Sequence, residues 1–344
     1  MPASRSFDPL PKRAEDVLDP DWLLQALDVA SGGDRVVSVQ AVETTGTIAD
    51  KIRFSVTVEH QAATRTYDLC AKGHFSNDMT SLDTEAHAYR DLHSAVSVRA
   101  PRAHYVAVDD AAGRGLIIMD DVVAMGGQIL DAHQPYSLET CRGSLSQLAL
   151  LHARTWSDPR WDVDWLDSRI EKTAAYFPPD VLQGLLDDGR GPDLPPILRD
   201  AATLHAAIQR TAALPATCVI HGDTHSGNAF IDAKGQVSWL DWQITQRGHW
   251  SVDVSYHLGS VLDVETRRSH ERDLLSHYLS ELSGHGVSAP GFEEAWASYA
   301  AGFAWGYLLW SSTMISSREV VLIHVPRLGA AISDHDTFAR LGVA

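Results

Sequence analysis

The hydrophobic pattern of this chain changes period once, near residue 120, and that change limits the fold more than any other feature. Before it, apolar residues recur at every second position. DKIRFSVTVE alternates Ile52, Phe54, Val56 and Val58, and TRTYDLCAK sets Tyr67, Leu69 and Ala71 on one face with Lys72 on the other. Period two marks strands. RVVSVQAVE, RAHYVAVDD and GRGLIIMDDV read the same way. MTSLDTEAHAYRDLHSAV, with Leu82, Ala86, Tyr89 and Leu92 three or four positions apart, inserts one helix after the third strand, and DPDWLLQALDVASGGD predicts a short helix ahead of the sheet. After the change the spacing is mostly helical, from LETCRGSLSQLALLHARTW onward. Only ATCVIHGD, NAFIDA and QVSWLDW read as short strands. The expectation is an α+β chain: a small antiparallel sheet plus helix in residues 1–121, and a larger, mainly helical part in residues 122–344. With 344 residues the chain is also long for a single core.

Composition narrows the partners. Asp and Glu number 45 against 28 Lys and Arg, a formal net charge of −17, which opposes attraction to phosphate backbones or anionic lipid. Neither nucleic acid nor membrane is an expected partner. Cys70, Cys141 and Cys218 are three, widely spaced, and form neither a disulfide framework nor a zinc pattern. MPASRSFDPLPKRAED lacks the apolar core of a signal peptide, and GFAWGYLLWSSTMI is too short to span a bilayer and reads as a buried helix. A cytoplasmic setting is expected.

One stretch concentrates polar chemistry. In VIHGDTHSGNAFID, the apolar pair Val219 and Ile220 leads into His221, Gly222 and Asp223, and Asn228 follows five positions later. Asp241 stands beyond a further apolar run, VSWL. A phosphoryl group in transfer asks for a positioned nucleophile and for divalent metal to neutralise charge. A carboxylate can orient a substrate hydroxyl, while an amide oxygen and a second carboxylate supply the hard ligands magnesium prefers. Asp223, Asn228 and Asp241 match those three tasks. Two other readings use fewer of the residues. A polar hairpin turn explains Gly222 and Gly227 but not the spacing to Asp241. A zinc hydrolase could use His221, Asp223 and His225, but leaves Asn228 and Asp241 without a task.

Asp, four residues, Asn, then an Asp on the next hairpin is also the order of the protein-kinase catalytic loop. HGDTHSGN followed by LDWQ resembles the aminoglycoside phosphotransferase and choline kinase group of kinase-like enzymes, and the DWQ ending resembles the ecdysteroid-kinase-like branch. The resemblance implies a two-lobed protein-kinase-like fold, with ATP between the lobes and Mg2+ as cofactors. It implies Asp223 as catalytic base, Asn228 and Asp241 as metal ligands, His221 as a brace of the loop, and Asp253 in RGHWSVDVSYHLG as the residue that ties the loop down. It further demands a lysine on the third strand and a glutamate on the following helix. Lys72 and Glu85 stand there. Gly46, in ETTGTIADKIRF, is the one glycine available for a phosphate loop, and it equally suits a plain hairpin turn. In GLIIMDDVV the resemblance sets Met119 behind adenine, with the backbone of Asp120 and Val122 at its edge. Trp242 and Gln243 replace the Phe and Gly of a protein kinase, so no activation loop of that kind is expected.

The expected partner is a small-molecule alcohol. An aminoglycoside, an amino alcohol, a sterol or another alcohol all fit the motif. Nine of ten tryptophans lie after residue 150, and Trp156, Trp161, Trp165, Trp250, Trp296, Trp305 and Trp310 are candidates for an aromatic acceptor pocket or for helix packing. Asp162, Asp164, Asp167, Asp187 and Asp188 are the carboxylates available to a polycationic acceptor. The alternatives are a catalytically silent nucleotide-binding protein and an atypical protein kinase.

Overall fold

The computed structural model describes residues 7–27, 35–46, 49–60, 63–73, 75 and 82–343. The chain divides into two compact units: Met1–Ala95 with Ala100–Gln128, and Val96–Arg99 with Ile129–Ala344.

The first unit is built on five antiparallel strands: β1 (Arg35–Gly46), β2 (Asp50–His60), β3 (Ala63–Gly73), β4 (Ala103–Asp109) and β5 (Arg114–Asp120), in the order β1-β2-β3-β5-β4. Its core follows the period-two pattern. Ile52, Phe54, Val56 and Val58 of β2, Leu69 and Ala71 of β3, and Leu116 and Ile118 of β5 are buried with Trp22 and Leu23 of the helix Pro20–Ala26. Burying such side chains stabilises by about 1.5–3 kcal/mol each, which makes this face the principal source of the unit's stability. Residues 28–34, which hold the rest of the predicted first helix, lie outside the described residues, as do 79–81 at the start of the second. From Leu82 that second helix runs to Val96, with one wider π turn over Ala88–Leu92, and it packs on β5.

The second unit is mainly helical. Its central helix, Trp250–Val261, is buried along all twelve residues. A helix enclosed on every side belongs in the middle of a core, and Leu138–Thr155, Val264–Gly284, Phe292–Ala301, Ala304–Ser312 and Arg318–Asp334 surround it. The short apolar runs form strands: β7 (Cys218–Ile220), β8 (Ala229–Ile231) and β9 (Val237–Trp239), after the two-residue β6 (Gln128–Ile129). β8 and β9 make a hairpin, and β7 pairs with β10 (Gln246–Gly248). Strand β10 is polar and gave no period-two signal.

Two details depart from the sequence pattern. Residues 96–99 join the helical unit because Arg99 donates its N–H to Gln147 and its Nε–H to the Val237 carbonyl, and accepts from the Trp239 N–H. The buried helix predicted over GFAWGYLLWSSTMI ends at Ser312, where Arg190 donates to the carbonyls of Trp310, Ser311 and Thr313, and Met314 and Ile315 are exposed. Among the described residues no helix is long and apolar enough to cross a membrane.

Candidate active site

The polar loop of the second unit begins where β7 ends. Its first residues are fixed through their backbone. Asp253, fully buried on the central helix, accepts the His221 N–H at 2.7 Å on one carboxylate oxygen and the Gly222 N–H at 2.8 Å on the other. His152 Nε2 lies 3.1 Å from the first oxygen and donates to it, while the Tyr278 hydroxyl lies 2.8 Å from His152 Nδ1. Gly222 has φ +83°, and a Cβ there would stand 2.5 Å from the Ile244 carbonyl oxygen, so no other residue fits without backbone movement. Its own carbonyl accepts the indole N–H of Trp305 at 2.7 Å.

His221 is neutral and oriented. Its Nε2 donates to the Leu240 carbonyl at 2.9 Å, which leaves Nδ1 to accept the Asp223 N–H at 3.2 Å. Burial holds its pKa below the ordinary histidine value. Trp239 and Trp242 pack on the ring, with centroids 5.2 and 4.6 Å away. Both ring nitrogens are therefore taken by protein groups, and the zinc-ligand reading of His221 is set aside. Among the described residues no three His, Cys, Asp or Glu form a metal-binding group.

Asp223 and Asn228 meet directly. The Asn228 amide nitrogen donates to the Asp223 carboxylate at 2.9 Å and to the Asp223 carbonyl at 3.0 Å. Since both partners can only accept, the amide orientation is fixed and its oxygen faces away from Asp223. The Leu240 N–H donates to the Asn228 carbonyl at 2.7 Å, so Leu240 is bound on its N–H side by Asn228 and on its carbonyl side by His221. That bracket brings the next residue, Asp241, to the same loop. Asp241 sits at φ +60°, in the left-handed region that Asp tolerates better than most residues and that is costly enough to need a reason. An amide oxygen and a carboxylate on adjoining, fixed backbone suit a hard divalent cation such as magnesium.

The first unit carries the other polar pair. Lys72, at the end of β3, places Nζ 2.5 Å from Glu85 Oε2 on the following helix, with side chains only 3% and 1% exposed. Nearby, a Cβ at Gly46 would lie 2.8 Å from Asp50 Oδ1, and the second Asp50 oxygen accepts the Phe75 N–H at 2.8 Å. Residues 47 and 48 lie outside the described residues. Met119 is buried at the end of β5, with the Tyr89 hydroxyl 3.5 Å from its sulfur. The Asp120 N–H donates to the Arg102 carbonyl, and the Val122 carbonyl accepts the Gly127 N–H.

A sequence profile of the phosphotransferase enzyme family matches residues 55–294, well over half of the chain. The chain belongs to this family. Solved structures with similar folds include an ethanolamine kinase from Plasmodium vivax (13% identity, TM-score 0.55, 89% of this chain and 84% of that one). A choline/ethanolamine kinase family protein from Mesorhizobium loti (13%, 0.50, 88% and 91%) and an aminoglycoside 2′-phosphotransferase in complex with GDP (12%, 0.50, 92% and 99%) are similar as well. At these identities the likeness concerns the fold, which is kinase-like: an antiparallel N-terminal sheet, then a mainly helical part. No curated protein matches the chain.

Four of the five carboxylates suggested for a polycationic acceptor pair with neighbouring side chains of this phosphotransferase. Asp162 pairs with Arg247 at 2.6 Å, Asp167 with Lys172 at 3.2 Å and Asp188 with Arg190 at 2.6 Å, and Asp187 accepts from Gln183 at 3.0 Å. Of the candidate tryptophans, Trp250 stacks on Tyr278 and Trp305 braces Gly222, both in the core. Trp310 differs: its ring stacks on His324 and meets His225, whose Nε2 is 3.7 Å from the Asp223 carboxylate. Sequence reasoning missed three groups of the phosphotransferase loop. Thr224 donates its hydroxyl to the Asp253 carbonyl, His257 donates Nδ1–H to the Thr224 carbonyl, and Tyr256 donates its hydroxyl to Asp223. Residues 253, 256 and 257 share one face of the central helix.

Proposed function

We propose that this phosphotransferase moves the γ-phosphoryl group of ATP to the hydroxyl of a small molecule, with magnesium. The observation that carries the reading is the Asp223–Asn228 contact, in which a carboxylate and an amide oxygen turned away from it are set by one fixed loop. In this reading Asp223 accepts a hydrogen bond from the acceptor hydroxyl and takes its proton as the new oxygen–phosphorus bond forms and the bond from the γ-phosphorus to the bridging oxygen breaks, releasing ADP. The Asn228 amide oxygen and the Asp241 carboxylate would hold the metal. Bound magnesium would neutralise phosphate charge. Lys72, kept extended by Glu85, binds phosphate oxygens, Gly46 lets the backbone approach phosphate, and Met119 backs the adenine. The Asp120 carbonyl and the Val122 N–H would meet the adenine edge. His221 and Asp253 hold the loop and touch no substrate. The structural neighbours, kinases of ethanolamine, choline and aminoglycosides, support a small hydroxylated acceptor.

The test is ADP release from magnesium-ATP with a panel of ethanolamine, choline, kanamycin, a sterol and a hydroxy acid. Asp223→Ala should lower turnover by about 10³-fold while leaving ATP affinity within a few fold. Turnover of that variant close to wild type would refute the role. ATP binding with no product from any acceptor would indicate a silent nucleotide-binding protein instead.

A further inference from the structure

Resting on the reading of Asp223 as the catalytic carboxylate, we propose that Tyr256 is a positioning residue for phosphoryl transfer, its buried hydroxyl aiming Asp223 at the acceptor. The Tyr256 hydroxyl donates to Asp223 Oδ1 at 2.9 Å, and Asn228 donates to Oδ2 at the same distance. Each carboxylate oxygen thus holds one fixed donor, and the plane of the group is set. An ionised carboxylate has about four acceptor sites, so lone pairs remain on both oxygens. Asp223 keeps 26% of its side chain exposed, and those lone pairs serve the open side.

The surroundings are shaped to place this hydroxyl. The Tyr256 side chain is fully buried, and burial together with the Asp223 charge pushes its pKa far above the ordinary tyrosine value, so the hydroxyl keeps its proton and remains a donor. Gly306, inside the helix Ala304–Ser312, makes room for the ring: a Cβ there would stand 2.3 Å from Tyr256 Cδ2. Glycine weakens a helix interior relative to alanine, and the space it leaves is what the ring occupies. Asp253, which fixes the loop backbone, lies one turn earlier on the same helix as Tyr256. One turn therefore sets both the position of the loop and the direction of its carboxylate. A donor on the base also makes it a weaker proton acceptor, which suits a loose transition state that needs the hydroxyl oriented more than it needs early deprotonation.

The test is Tyr256→Phe, with magnesium-ATP and ethanolamine, kanamycin and water as acceptors. Loss of the donor should lower kcat about tenfold, the scale of one charge-assisted hydrogen bond, with KM for ATP within about twofold. On an Asp223→Ala background the same change should have no further effect, because Tyr256 acts through that carboxylate. Gly306→Ala, which keeps the hydroxyl but displaces the ring, should lower kcat in the same direction. Wild-type kcat in Tyr256→Phe or in Gly306→Ala, or an equal loss with and without Asp223, would overturn the assignment alone. Absence of turnover in the wild-type protein with every acceptor would overturn the phosphotransfer reading, and this inference with it.

Discussion

The two units solve the problem of burying polar groups in different ways. In the first, Lys72 and Glu85 compensate one another directly across 2.5 Å. In the second, the Asp223 loop is held by a layer of groups behind it: Asp253 on two backbone N–H groups, His221 on Leu240, His257 on Thr224 and Trp305 on Gly222. A two-member pair can be removed as a unit. A network with many members cannot, because each deletion strands the donors that remain.

Removal of Asp253 should therefore have the largest effect. Asp253→Ala leaves the N–H groups of His221 and Gly222 and the ring N–H of His152 without their acceptor, at a cost on the order of 5 kcal/mol. Urea denaturation would measure it, and a loss under 1 kcal/mol would break the contrast. Lys72→Met should cost about 3 kcal/mol by stranding Glu85, and adding Glu85→Leu should recover most of that stability. Nucleotide affinity, followed by fluorescence titration, should stay lost in the double variant. Persistent instability there would mean that the two charges do not compensate one another. The smallest effect is one of pH. Burial lowers the His257 pKa from 6.5 to about 4, so the folded form resists a proton that the unfolded chain accepts. The stability contribution is complete above pH 6.5 and is lost as the pH falls toward 4. At pH 5 the loss from this group should be about 2 kcal/mol. Thermal melting from pH 7 to 5 would report it, and His257→Gln, which can still donate to the Thr224 carbonyl, should flatten the slope.

The same contrast explains what could be read from the sequence. Ile52, Phe54, Val56 and Val58 state a half-buried strand through their alternation, and Lys72 and Glu85 could be paired because each falls at a definite place on a periodic element. The order of Asp223, Asn228 and Asp241 was legible because the chemistry they suit demands several oxygen groups at once. The supporting layer was not. Tyr256 and His257 stand among apolar neighbours on a helix buried along its whole length, where period carries no information about which side chain faces a loop. The polar strand β10 escaped for a related reason, because its pairing with β7 rests on backbone hydrogen bonds and not on an apolar face. The exposure of Met314 and Ile315 depends on Arg190 capping a distant helix end, a contact without local signature.

The central helix has one further consequence. Asp253, Tyr256 and His257 address three parts of one loop from a single stripe of Trp250–Val261, and a helix advances about 100° per residue. Inserting or deleting one amino acid between Asp253 and Tyr256 would swing Tyr256 and His257 off that stripe together. In this stretch natural variation should thus be freer in residue type than in count, and gaps should gather beyond its ends.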